Sequence, residues 1–387
     1  MIKKNILLYG GTGSIGDAVL NVIRRSKDEF SLCGITCDKN ISKLKKIVDE
    51  FKPVSIGIGQ KCAIEDASDL FNDCNLFQGI DEFNEMLAPD IDIVILAISG
   101  LDCLKLSLDI AKSGKIFGIA NKESIISLGD LLIRTCSENN TSVVPLDSEH
   151  NSIYQIIKGH SLGINSITLT ASGGPFLKKP LSDLQFVSPD EAVKHPKWSM
   201  GKKISVDSAN MMNKSLELIE AKFLFQLDYK RINAIIHPQA LIHGMVEYND
   251  RSLIAFLSYP TMEVPISNLF YPDKSIKLDD YKVDLITSSP LEFIEIDRNR
   301  FPSIVLAKNV MEISGIAPHC FNYINEKLVH LFLDNKITFL DIINLNSSIL
   351  EQYFKINQNI NVLSINDINE SNAWLDEYIN ANIIKKN

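Results

Sequence analysis

Ile2-Lys3-Lys4-Asn5-Ile6-Leu7-Leu8-Tyr9, followed at once by Gly10-Gly11-Thr12-Gly13-Ser14-Ile15-Gly16, decides the fold. The first eight residues form an apolar run of strand length. Behind the glycines, Val19, Val22 and Ile23 recur on one helical face. A strand, a glycine-rich turn and a helix in that order suit a nucleotide. The glycines permit the tight turn and let a pyrophosphate approach the backbone, while the helix N-terminus offers free N–H groups and partial positive charge. A plain tight turn would use the same glycines, so GxGxxG gains its meaning from the strand before it and the helix after it.

Outward from this unit the pattern repeats. Phe30 to Thr36 reads as the second strand, and a helix follows with Leu44, Ile47, Val48 and Phe51 on one face. Val54 to Ile58, Ile91 to Ala97, Lys115 to Ala120 and Thr141 to Leu146 read as further strands, with helical patterns between them. Alternating helices and apolar strands imply an α/β fold with a doubly wound parallel sheet. The tip of the second strand reads the adenosine ribose of a dinucleotide. There Asp38 favours a free 2′-hydroxyl and Lys39 a 2′-phosphate, so the signal is mixed.

Two stretches sit where such sheets bind ligands, at the carboxyl ends of strands. Asn121-Lys122-Glu123-Ser124 is either a ligand-facing turn or a helix start, with Asn121 as cap and acidic Glu123 in the first turn. Pro145-Leu146-Asp147-Ser148-Glu149-His150 closes the last strand. Its two carboxylates lie two residues apart, point the same way on a strand and suit a hard divalent cation. The alternative is that Asp147 or Ser148 simply caps the helix from Asn151 to Lys158.

Beyond residue 146 the pattern changes. Ser166 to Ala171 is an alternating strand ending in Ser172-Gly173-Gly174-Pro175, and Ser188-Pro189 starts a helix. From Ser172 to Gly201 the chain is rich in Gly, Pro and Lys and carries Trp198; it reads as a mobile flap or an ordinary surface loop. Ser205 to Phe225 reads as a helix, with Ser208 a plausible cap. Asn210, Asn213, Lys214 and Glu217 lie on one face, and Met212, Leu216, Ile219 and Phe223 on the other. The polar face is either solvated or built for a ligand. His237 and His243 share no obvious face and read as structural histidines. Strands through His243–Tyr248 and Leu253–Leu257 are expected to pair antiparallel, giving an α+β domain, and helices follow from Phe301. The expected organisation is a nucleotide-binding domain over 1–146, an α+β domain over 147–271 with a flap at 172–201 (the catalytic and dimerisation domain, if the resemblance described below holds), a linker over 272–300, and a C-terminal helical domain over 301–387.

The 387 residues are 45% hydrophobic and 22% charged, enough for a substantial core. A net charge of −9 argues against nucleic acid or an anionic membrane as partner. The seven scattered cysteines form no CxxC pair, and the apolar run after Lys3 and Lys4 is too short for a signal or a span. The expectation is a reduced, cytoplasmic protein.

Taken together, the motifs GTGSIG (11–16), ANKES (120–124), PLDSEHNSIYQ (145–155), SGGPF (172–176), HPKWSMGKKISVDSA (195–209), MMNK (211–214) with LE (216–217), and HPQALIHGMV (237–246) resemble those of the 1-deoxy-D-xylulose 5-phosphate reductoisomerases, in the same order. That resemblance implies a Rossmann-like N-terminal domain, a homodimer, NADPH, Mg²⁺ or Mn²⁺, and a small phosphorylated sugar as substrate. It implies metal ligands at Asp147, Glu149 and Glu217, and phosphate ligands at Ser172, Ser208, Asn213 and Lys214. Lys122, Ser148, Glu149 and Glu217 would face the substrate, with His195 and Trp198 on the closing flap; Lys122, Glu149 and His195 are the catalytic candidates. Thr12, Gly13, Ser14, Ile15, Asp38, Lys39, Asn40, Asn121, Glu123 and Gly201 would line the coenzyme. The chain departs from the family pattern at Asp38, Gly11, Asn210 and Ser215, where the family usually has a small residue, Ser, Thr and Gly. Another Rossmann-type sugar or semialdehyde dehydrogenase would explain residues 1–146 but not the carboxylate trio. A non-catalytic coenzyme sensor would be expected to lose Asp147, Glu149, Glu217 or Lys122, and all are present.

Overall fold

Strand β1 (Lys4–Tyr9) runs down the middle of a parallel sheet, with Ile6, Leu7, Leu8 and Tyr9 fully buried. In this computed structural model, residues 3–60, 70–160, 163–194, 201–362 and 364–384 are described. The sheet also contains β2 (Phe30–Cys37), β3 (Ser55–Ile58), β4 (Asn75–Gln78), β5 (Ile93–Leu96), β6 (Ile116–Ile119) and β7 (Ser142–Pro145). Its order is β4-β3-β2-β1-β5-β6-β7, and every pairing is parallel. The chain's direction of growth reverses between β1 and β5, so the carboxyl ends there form the crevice where such sheets bind ligands. Helices α1 (Ser14–Arg25), α2 (Ile41–Phe51), α3 (Leu104–Ala111), α4 (Lys122–Leu128) and α5 (Asp130–Glu138) fall between strands, and α6 (Ser148–Lys158) follows the last.

The second sheet is ordered β11-β10-β8-β9, from β8 (Ile164–Ala171), β9 (Ile232–Ile236), β10 (Ile242–Tyr248) and β11 (Leu253–Leu257). Strand β10 is antiparallel to both neighbours, as expected, but β8 and β9 are parallel. The connection between them explains this. It holds α7 (Pro189–Ala192), α8 (Lys202–Ala209) and α9 (Met212–Phe225), a crossover long enough to bring the chain back to the same end. The remaining helices are α10 (Glu263–Phe270), α11 (Pro302–Ile313), α12 (Ala317–Leu333), α13 (Asp341–Ile356) and α14 (Ile365–Ile379).

The chain divides into two compact units: residues 1–124, 132–155 and 261–281, and residues 125–131, 156–260 and 282–387. These do not follow the linear segments expected from sequence. Helix α10 and the ten or so residues after it fold with the first sheet, because α10 inserts apolar side chains there. Phe270 stacks on Phe30 at 4.7 Å between centroids, and Leu269 lies so close to Gly118 that a Cβ there would come within 2.6 Å of it. Glu263 anchors the same segment, accepting hydrogen bonds from Asn21 and Tyr281. In the second unit, Ile294 bridges to Ile236, so part of the expected linker is tied to β9. Among the described residues six cysteines are free, and no helix is long and apolar enough to cross a membrane.

Candidate functional site

The coenzyme loop follows β1. Gly10 donates its N–H to Thr36 Oγ1 at 2.9 Å and Gly11 to the Thr36 carbonyl at 2.8 Å, which ties the loop to the end of β2. Gly16 packs on this turn so tightly that a Cβ would lie 2.4 Å from the Gly11 carbonyl oxygen. Gly13 caps α1 without a side-chain hydrogen bond, so no side chain takes the place of an anion at this helix start. Thr12 and Ile15 are half-buried, and Gly13 and Ser14 are exposed. Asp38, Lys39 and Asn40 are all exposed past β2, and Asn40 Oδ1 caps α2 by accepting the Lys43 N–H at 3.1 Å. These residues fit a dinucleotide. The sequence reading passed over Thr36 and Lys43. The Lys43 ammonium donates to the Thr12 carbonyl at 3.0 Å and pairs with Asp17 at 2.7 Å, bracing the loop from α2. A cation in the first turn of a helix, against the dipole, was the available signal.

The two motifs at the carboxyl edge of the sheet meet because β6 and β7 pair in register, Ile119 beside Pro145. Two or three residues further on, Lys122 Nζ lies 2.6 Å from Asp147 Oδ2, both side chains largely buried. The His150 ring, fully buried, lies 3.7 Å from the same oxygen. Burial works against ionisation of Asp147, but Lys122 and His150 outweigh it and hold the carboxyl well below the usual carboxylate range. Asp147 opens α6 through its carbonyl, which accepts the Asn151 N–H at 2.8 Å, while its carboxylate faces Lys122. Glu149 Oε2 accepts the Ser148 hydroxyl at 2.5 Å. Asn121 is the cap of α4, accepting the Ser124 N–H at 2.6 Å. Its amide also donates to the Ile98 and Gly100 carbonyls and to Glu123, so the cap holds the turn after β5 as well.

The phosphate candidates lie on α8, α9 and the loop after β8. Gly174, at φ +68°, brings that loop against α8: a Cβ there would lie 2.6 Å from the Ser208 carbonyl oxygen. The single helix expected within 205–225 is two helices. Ser208 sits inside the last turn of α8 rather than capping a helix; Asn210 closes α8 and Met211 opens α9. Met211 adopts a left-handed conformation at φ 62°, and Asn210 Oδ1 accepts the Met212 N–H at 2.9 Å. Nor is the polar face of α9 solvated. Lys214 and Glu217 are buried and paired, and Asn213 donates to the other Glu217 oxygen at 2.5 Å. Gly201 is exposed and caps α8. His195 and Trp198 lie outside the described residues. The proline-led start of α7 is present as expected, and Ser188 caps it in a capping box with Glu191. His237 bonds the Glu292 carbonyl and stacks on Phe293, as a structural histidine does.

Comparison with known proteins places this geometry. Models described as 1-deoxy-D-xylulose 5-phosphate reductoisomerase and its C-terminal domain match residues 6–129 and 143–225, and a DXP reductoisomerase C-terminal domain model matches 257–378. The chain is 39% identical to the 1-deoxy-D-xylulose 5-phosphate reductoisomerase of Clostridium botulinum (strain Alaska E43 / Type E3) over 358 residues, covering 90% of this chain and 92% of the relative. It is 36% identical to that of Clostridium novyi (strain NT) over 383 residues, 97% and 98% of the two chains. A DOX-P reductoisomerase solved with NADPH, fosmidomycin and magnesium superposes with TM-score 0.90 at 34% identity, covering 98% of both chains. The Zymomonas mobilis reductoisomerase solved with NADPH gives 0.88 at 32%, covering 98% of this chain and 99% of that one. By sequence and by structure, the chain belongs to the 1-deoxy-D-xylulose 5-phosphate reductoisomerase family.

Proposed function

We propose residue roles through which this chain performs the chemistry of its family. It is an NADPH- and divalent-metal-dependent enzyme that rearranges 1-deoxy-D-xylulose 5-phosphate and reduces the product to 2-C-methyl-D-erythritol 4-phosphate, in non-mevalonate isoprenoid precursor biosynthesis. The observation that carries the site assignment is the state of its acidic residues. Asp147 holds the Lys122 ammonium and Glu217 that of Lys214, the kind of positive charge a cation would supply. Asp147, Glu149 and Glu217 would hold Mg²⁺ or Mn²⁺; an all-oxygen ligand set suits either ion. When bound, the ion supplies Lewis-acid polarisation and NADPH the hydride.

Lys122 and Glu149 hold and return protons at the reacting oxygens of the substrate, and Ser148, bonded to Glu149, orients them. Ser172, Ser208, Asn213 and Lys214 bind the phosphate, which needs several donors and a fixed charge. Thr12, Gly13, Ser14, Ile15, Lys39, Asn40, Asn121, Glu123 and Gly201 bind NADPH, with Asp38 opposing its 2′-phosphate. The flap over 172–201, with His195 and Trp198, closes and excludes water.

A homodimer fits the exposed edge strand β11, where Leu253 and Leu257 are uncovered, with Tyr259 exposed just beyond it. The six free cysteines among the described residues fit residence in the cytoplasm. Glu217→Gln tests the metal assignment. It should abolish metal-dependent turnover while NADPH binding stays near wild type; full activity in that variant would refute the assignment.

A further inference from the structure

We infer that Asp207 and Asn325 are positioning residues for the substrate phosphate, acting through the α8–α9 turn. The inference rests on the phosphate reading given above.

Asp207 is 1% exposed and sits in the last turn of α8. A carboxylate there is doubly disfavoured: it is out of water, and it faces the negative end of the helix dipole. It persists because two groups hold it. Asn325 Nδ2 on α12 donates to Oδ1 at 2.9 Å, and Lys203, one turn back on α8, pairs with Oδ2 at 3.1 Å. Asn325 is itself 0% exposed, so this amide–carboxylate bond is a fixed internal strut. Stability alone does not account for it, since an apolar pair of the same size is often as stable as a buried ionic group.

What the strut fixes is the rotation of α8. Successive helical residues point about 100° apart, so locking Asp207 against α12 sets the direction of Ser208. The same turn is held a second time, from α11. Ser303, 0% exposed, donates its hydroxyl to the Asn210 carbonyl at 2.9 Å. Asn210 in turn starts α9 through Met212, past the left-handed Met211. The Gly174 loop packs on the Ser208 carbonyl from the third side. Ser172, Ser208, Asn213 and Lys214 thus hang on one turn whose orientation is set by side chains that touch no substrate. The phosphate contacts need that setting because they are spread over two helices and a loop.

The test uses the full-length protein with NADPH bound, reading steady-state kinetics and the affinity for inorganic phosphate. Asn325→Ala should raise substrate KM and the phosphate Kd together by about tenfold, comparable to losing an outer-shell hydrogen bond at a metal site, with a much smaller fall in kcat. Lys203→Met, at a side chain 24% exposed, removes the other partner of Asp207 and should shift KM the same way if Asn325→Ala does not fold. Wild-type phosphate affinity in folded Asn325→Ala or in folded Lys203→Met would overturn the inference. Lys214→Ala separates the two readings. If it leaves phosphate binding intact, the phosphate site itself is misassigned; if it loses binding while Asn325→Ala does not, only the positioning role falls.

Discussion

On the proposed coenzyme site, the choice between NADPH and NADH turns on Asp38. It is exposed beside Lys39 and Asn40, and Asn40 Oδ1 is committed to capping α2, which leaves its amide N–H groups to donate. Repulsion between exposed charges is worth about 0.5–1 kcal/mol. Asp38→Gly should therefore lower the NADPH Kd by about two- to fivefold and leave that for NADH little changed. Equal or better kcat/KM with NADH in the wild type would mean that Asp38 reads the ribose hydroxyls. At this scale the sequence was partly legible. Asn121 reads both as a cap and as a site residue, and the structure shows the cap, because one amide can serve a helix start and a neighbouring turn. Burial of Lys214 and Glu217 was not legible, since the spacing of polar residues on α9 is the same whether that face meets water or protein.

The elements carry the strongest signals and the clearest misses. GxGxxG between an apolar run and an amphipathic helix specified β1, its turn and α1. Gly16→Ala checks how close that packing is. The added methyl meets the Gly11 carbonyl, so the loop must shift; the expected cost is about 1–3 kcal/mol in unfolding free energy, with a matching loss of NADPH affinity. A variant binding NADPH like the wild type would show that the loop yields freely. Strand β4 was missed because its four residues are exposed or only half-buried and form no apolar run. The break between α8 and α9 was missed because it uses no glycine or proline. Met211 takes the left-handed conformation instead, held by contacts distant in sequence.

For the whole molecule, the parallel pairing of the first sheet follows from the alternating pattern. The return of residues 261–281 to that sheet does not, since nothing local marks Leu269 and Phe270 as belonging to the core around Phe30. Stability against acid is a property of the same scale. Burial lowers the His319 pKa from 6.5 to about 4, while the ring bonds Ser127 and Asn372. Below pH 6.5 the unfolded chain takes up a proton that the folded chain refuses until about pH 4, so this contribution is present above 6.5 and lost as pH falls through that window. The loss amounts to about 3 kcal/mol. Urea unfolding at pH 7 and at pH 4.5 should show a smaller difference for His319→Gln than for the wild type; equal differences would remove His319 from the account. The central claim is metal-dependent reduction of a rearranged phosphosugar, and its most direct measurement is NADPH consumption by the purified protein with 1-deoxy-D-xylulose 5-phosphate, before and after chelation of divalent ions. The account predicts consumption that stops on chelation and returns with Mg²⁺ or Mn²⁺. Consumption that continues unchanged without a divalent ion, or none with substrate and ion both present, would contradict it.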